Sequence, residues 1–140
     1  MSKVTLFKPK LSRRSLPIFT ARISAGFPSP AADYEEGKLD LNKHLIKNPP
    51  ATFIVRAAGD SMEGAGIHNG DLLIVDRSIE PKSGHVIIAV LDGQLTVKRL
   101  RIYRGKYSLE PENKLYPVQK ITKEMEFEVW GVVTNVIHPL

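Results

Sequence analysis

His85-Val86-Ile87-Ile88-Ala89-Val90-Leu91-Asp92-Gly93-Gln94-Leu95-Thr96-Val97-Lys98-Arg99-Leu100-Arg101-Ile102 is the stretch from which the fold follows. Two runs rich in β-formers meet at Asp92-Gly93, residues that tolerate the positive φ angles of a tight hairpin turn. The stretch therefore predicts two antiparallel strands. Its apolar part, Val86 to Leu91, is far too short for the ~18 residues of a membrane-spanning helix.

Outward from this hairpin the same pattern recurs. Arg104-Gly105 predicts a further turn into Tyr107-Ser108-Leu109, and Glu126 to Ile137 reads as a long apolar closing strand pair or a single bent strand, with Gly131 at the bend or bulge. Upstream, Asn69-Gly70 is a turn ahead of Asp71-Leu72-Leu73-Ile74-Val75-Asp76, while Thr52 to Ala57 is a strand and Gly64 and Gly66 keep the segment after Ser61 loop-like. Asp40 is placed to cap a short helix, Leu41 to Ile46, which Pro49 and Pro50 end. The expectation is a mainly β protein: a small antiparallel β domain with one or two short helices and an extended N-terminal arm.

Within the hairpin, Lys98 carries the chemistry. Strand alternation groups it with Thr96 and Leu100 and turns Val97 and Arg99 the other way. Most other lysines lie in polar or turn-rich stretches. An exposed lysine titrates near ~10.4, but apolar surroundings disfavour its charged form and make the neutral amine available as a base. Such a base needs a weak nucleophile to activate, and Ala57-Ala58-Gly59-Asp60-Ser61-Met62 supplies a serine in a turn. Taken alone, Gly-Asp-Ser is an ordinary turn and a strand lysine an ordinary edge residue.

Composition bounds the alternatives. The 140 residues are one domain's worth, and 42% hydrophobic content with no low-complexity run makes the chain globular. The absence of cysteine excludes disulfides, thiolate catalysis and thiolate metal sites, and fits a reducing cytoplasm. His44, His68, His85 and His138 show no metal-ligand spacing, so neither a metal nor a cofactor is expected. The N-terminus has no apolar core of a signal peptide. The formal charge of +5 is unevenly placed: residues 1–25 hold Lys3, Lys8, Lys10, Arg13, Arg14 and Arg22 and no acid, leaving the remainder at −1. Direct DNA binding by the core is therefore not expected.

The basic arm leads into Ile23-Ser24-Ala25-Gly26-Phe27-Pro28-Ser29-Pro30. Pro28 and Pro30 hold the chain extended, and Ala25-Gly26 is narrow enough to enter a protease cleft. The division expected is an arm of 1–25, a linker with a short helix over 26–50, and a β core of 51–140.

Gly59-Asp60-Ser61-Met62, Gly70 to Asp76, Thr96 to Leu100, Gly26 to Tyr34 and Leu39-Asp40-Leu41-Asn42 together resemble the LexA/UmuD family of self-cleaving peptidases, whose fold is related to signal peptidase. The resemblance covers most of residues 20–140. It implies that Ser61 is the nucleophile, Lys98 the general base and Ala25-Gly26 the bond cut, with backbone N–H groups of Ser61 and Asp60 holding the oxyanion. It further implies an SOS-response role in which a RecA filament on single-stranded DNA stimulates cleavage. The trimmed homodimer then joins a UmuC-like catalytic subunit of an error-prone translesion polymerase. Enterobacterial relatives carry Cys where this chain has Ala25, an equally small residue.

Rival readings are a LexA-like repressor fragment, for which the 25 residues ahead of Gly26 are too few to form a helix-turn-helix domain, and a signal peptidase, which needs a membrane anchor. A non-catalytic β binding module whose basic arm contacts nucleic acid is the reading from another class. Arg99, Arg101, Arg104 and Lys106 make a second basic cluster, expected to be a solvated face.

Overall fold

The computed structural model describes residues 4–7, 15–19 and 35–140. These fall into two compact units, one within Met1–Pro9 and Asn48–Leu140 and the other within Lys10–Lys47. The larger unit is built on one eight-stranded sheet, in which every paired neighbour is antiparallel. Its members are β1 (Val4–Phe7), β4 (Thr52–Ala57), β5 (Leu72–Asp76), β6 (Val86–Leu91), β7 (Gln94–Tyr103), β8 (Lys106–Glu110), β9 (Gln119–Lys120) and β10 (Phe127–Ile137), in the order β1-β4-β5-β10-β6-β7-β8-β9.

The β6–β7 hairpin forms in the register its turn dictates, with Leu91 opposite Gln94 and Ile87 opposite Lys98. Asp92 and Gly93 both have positive φ, 49° and 78°, the two left-handed residues that this tight connection requires. Asp92 also ties the turn to the start of β10: its N–H donates to the Glu126 carbonyl, and its carboxylate accepts the Glu126 N–H.

The last strand is the centre of the sheet. β10 pairs with β6 along its first half and β5 along its second, and the register slips at Val129/Gly131. A Cβ on Gly131 would stand 2.6 Å from Val75 Cγ1, so close approach of β5 explains the glycine at the expected bend. Adjacent residues Ile87 and Ile88 enter different buried clusters, as alternation along a strand demands. One cluster gathers Val55, Met62, Leu73, Val75 and Val97, the other Leu100, Leu109 and Val132.

Sequence reading did not anticipate β1, β9, or the strands β2 (Ser15–Phe19) and β3 (Glu35–Asp40), which pair with each other in the smaller unit. β1 and β2 lie in the stretch expected to be an extended arm, and β1 adds to the open edge of β4. Residues such as Glu35-Glu36-Gly37-Lys38 lack a β signature; their strand exists because a partner supplies the ladder. The predicted helix is present as α1 (Leu41–Leu45), its first turn capped by the Asp40 carboxylate, which accepts the Asn42 N–H at 3.0 Å.

Candidate active site

The turn that presents Ser61 is held from three directions. At its start, Ala57 exchanges backbone bonds with the turn before β5, accepting from Gly70 N–H and donating to the Asp71 carbonyl, each at 2.8 Å. Gly59 takes a left-handed conformation, φ 94°, and donates its N–H to Asn69 Oδ1 at 3.0 Å. Beyond Ser61, buried Met62 anchors the chain in the core and a single 3-10 turn, Glu63–Ala65, follows where a loop was expected.

The third support is the loop after β8. Glu112 N–H donates to the Ser61 carbonyl at 2.8 Å, and Gly64 N–H donates to the Glu112 carbonyl at 2.7 Å. Asn113 Nδ2 donates to the Asp60 carbonyl, and the Tyr116 hydroxyl donates to the Asp60 carboxylate. That carboxylate, with burial and the neighbouring charge of Glu63, raises the Tyr116 phenol above its ordinary value. Arg99 Nε pins the loop back to β7 by donating to Glu112 Oε1. Ser61, only 2% exposed, is thus fixed by backbone contacts on both sides.

Lys98 reaches this turn from β7. Its Nζ lies 3.0 Å from Ser61 Oγ, 3.0 Å from Thr96 Oγ1 and 3.0 Å from the Val97 carbonyl. Burial beside the sheet's apolar residues pulls its pKa below the ordinary lysine value. The three contacts match the valence of a neutral amine. The Val97 carbonyl can only accept, and the Thr96 hydroxyl can accept, so these two take both N–H groups of the neutral form. The lone pair is left for the Ser61 hydroxyl proton. The arrangement can therefore deprotonate a serine, the first step of nucleophilic catalysis.

The structure brings Ser61, Lys98 and Asp60 together, with Asp60 holding the loop of Asn113 and Tyr116. Ala25 and Gly26 lie outside the described residues. Sequence reading put Thr96 on the face of Lys98 without assigning it a contact, and it missed Glu112, Asn113 and Tyr116 altogether. No motif marks that loop, because its backbone and side-chain contacts with the serine turn join residues about 50 apart in the sequence. The second basic cluster, spread over β7, the turn after it and the start of β8, is partly neutralised locally: Arg99 pairs with Glu112 and Arg101 with Glu110. His68 and His138, for which spacing showed no relation, lie side by side with Asp71 between the loop before β5 and the segment after β10.

Among the described residues no helix is long and apolar enough to cross a membrane. A family model described as Peptidase S24-like matches residues 17–134. Protein SamA of Salmonella typhimurium is 50% identical over 122 residues, covering 87% of this chain and 84% of that protein. Protein ImpA of Escherichia coli is 49% identical over the same length, and Protein MucA of Escherichia coli is 43% identical over 143 residues, covering 99% of this chain and 97% of MucA.

Proposed function

On the premise that the chain belongs to the S24-like peptidase family, as a UmuD-like member, we propose that it is a serine peptidase that cuts its own Ala25-Gly26 bond with Ser61 as nucleophile and Lys98 as base. Neutral Lys98 takes the Ser61 proton as Oγ bonds to the Ala25 carbonyl carbon. Backbone N–H groups of Ser61 and Asp60 hold the oxyanion. When the intermediate collapses, the Lys98 ammonium returns its proton to the departing Gly26 amine, leaving residues 1–25 esterified to Ser61. Water, deprotonated by the same lysine, then releases the Ala25 carboxylate and restores the serine.

The bond is part of the same chain, so effective concentration replaces substrate affinity. Cleavage removes a segment of charge +6 and leaves residues 26–140. The trimmed form acts as a homodimer with a UmuC-like catalytic polymerase subunit in SOS mutagenesis, within the cytoplasm. A RecA filament on single-stranded DNA stimulates cleavage by favouring the conformer in which residues 23–28 occupy the cleft, without adding a catalytic group. These steps rest on the UmuD-like membership.

The observation that carries the reading is the 3.0 Å approach of a half-buried lysine Nζ to a buried serine Oγ across 37 residues of sequence. Mass spectrometry of the pure chain from pH 7 to pH 10 tests it, with and without RecA, single-stranded DNA and nucleotide. Fragments 1–25 and 26–140 are expected from the wild type and from neither Ser61→Ala nor Lys98→Ala. A chain that stays whole under every condition sinks the peptidase reading and leaves the non-catalytic module.

A further inference from the structure

Away from the serine, the fold assembles a second group of reactive side chains. Asp71 begins the segment entering β5, and its side chain is only 1% exposed. The two imidazoles beside it come from points 70 residues apart, His68 in the preceding turn and His138 just past β10. His138 Nδ1 is 2.6 Å from Asp71 Oδ1, and the His68 backbone N–H donates to Asp71 Oδ2 at 2.7 Å. The rings lie with centroids 4.5 Å apart and planes tilted by 31°. One ligand atom from each of the three residues falls within 4.8 Å of the other two.

Two features of this cluster are unexplained by hydrogen bonding alone. His68 Nδ1 is buried from solvent and has no hydrogen-bond partner among the described residues, standing 3.8 Å from Asp71 Oδ2. Burying a polar nitrogen without a partner is costly. The buried Asp71 carboxylate, moreover, has as its ion-pair partners among the described residues two imidazoles, which carry charge only when protonated. Both features are met by one divalent cation, which takes a lone pair from the orphaned nitrogen and places fixed positive charge on the carboxylate.

We propose that His68, Asp71 and His138 form a binding site for a divalent transition-metal ion of the Zn²⁺ class. Two nitrogen donors and one carboxylate suit Zn²⁺ and disfavour Mg²⁺ and Ca²⁺, which prefer all-oxygen shells. Bonds of ~2.0–2.2 Å put tetrahedral donors about 3.3 Å apart, so donors now as far as 4.8 Å apart must draw in by up to about 1.5 Å, while the 2.6 Å His138–Asp71 contact opens to admit the ion. The two histidine side chains are 45% and 40% exposed and have the freedom to do so, while their open side leaves the remaining coordination positions to water. The bound ion ties the segment after β10 to the His68–Asp71 turn. That turn is bonded to Ala57 and Gly59 just ahead of Ser61, so the site braces the nucleophile's loop from outside the catalytic machinery.

The test is titration of the full-length chain with Zn²⁺ against a chromophoric chelator, beside the melting temperature with and without the ion. One Zn²⁺ per chain is expected, with a raised melting temperature and no competition from excess Mg²⁺. His68→Gln and His138→Gln, both at half-exposed positions, should each weaken binding by at least about tenfold and abolish the thermal shift, while His44→Gln and His85→Gln bind as the wild type does. Circular dichroism of the metal-free variants checks that they are folded. The site is overturned if the wild type shows no saturable binding, or if either His68→Gln or His138→Gln binds Zn²⁺ as tightly as the wild type.

Discussion

Lys98 Nζ sits at one distance, 3.0 Å, from Ser61 Oγ and from the two oxygens that can absorb its N–H groups, Thr96 Oγ1 and the Val97 carbonyl. A neutral amine fills such a site with its lone pair on the serine. A charged one finds itself half-buried with no carboxylate among these contacts, which is the physical cause of its lowered pKa.

Cleavage should therefore rise with pH, tenfold per unit at first, and level off at an inflection below 10.5, because only the neutral lysine acts as base. Lys98→Arg should be inactive across the whole range, since a guanidinium does not deprotonate. A pH series of initial cleavage rates checks both; an active Lys98→Arg protein would show that the base lies elsewhere.

The same burial has a stability consequence of opposite sense. Unfolded, Lys98 keeps its ordinary pKa, whereas burial makes the folded state hold the lysine proton less tightly, so folding is disfavoured at neutral pH and the penalty fades as pH rises through the lowered folded value toward 10.5. Lys98→Met should be more stable than the wild type at pH 7, with the difference shrinking at pH 10. Urea unfolding at the two pH values measures it.

Thr96→Val keeps the shape of the side chain and removes one acceptor of the lysine N–H groups. The amine then loses its orientation toward the serine, and the cleavage rate should fall about tenfold, the equivalent of one hydrogen bond of ~1.4 kcal/mol. Thr96→Ser should restore most of it. Equal rates in Thr96→Val and wild type would remove Thr96 from the positioning role.

Gly64→Ala probes the loop that clamps the Ser61 turn. An added Cβ would stand 2.6 Å from the Glu112 carbonyl oxygen, which also accepts the Gly64 N–H, so the Ser61 turn and the 112–116 loop must separate. Cleavage should drop by about tenfold or more through misplacement of Ser61. Gly131→Ala, equally crowded against Val75, should instead lower stability by about 1–3 kcal/mol and leave the cleavage rate of the folded fraction intact. Comparing rate and melting temperature for the pair separates the two effects.

Asp76 governs the acid side. Burial alone would raise its carboxyl pKa, but hydrogen bonds from Asn48 and from the side chain and backbone of Ser78 outweigh it and hold the group below 3.8. Its contribution to stability is present above the ordinary carboxylate value and lost as pH falls through the lower folded one. Asp76→Ala should cost about 2–3 kcal/mol at neutral pH by leaving the Asn48 and Ser78 donors unpaired, and should flatten the loss of stability below pH 4. Thermal melts from pH 7 to pH 2.5 follow it.

Much of this was legible in the residues. Asp92-Gly93, Arg104-Gly105 and Gly131 fall where two turns and a bulge occur, because positive φ and close strand approach restrict which side chains are tolerated. Residue type made Ser61 and Lys98 candidates and the family resemblance paired them, while strand alternation put Thr96 on the face of the lysine. The strands that escaped notice, β1, β2, β3 and β9, are short or weakly patterned, and such segments become strands only because a neighbour completes their hydrogen bonds.

Local chemistry, then, determined the antiparallel β character and the helix cap at Asp40, since each depends on a residue and its immediate neighbours, and it marked Ser61 and Lys98 as candidates. Tertiary structure alone decided the 3.0 Å approach of Lys98 to Ser61, the grip of Glu112, Asn113 and Tyr116 on the serine turn, and the meeting of His68 and His138 on Asp71. Those distances depend on strand register and on which loops the sheet order makes neighbours, and no spacing along the chain encodes either.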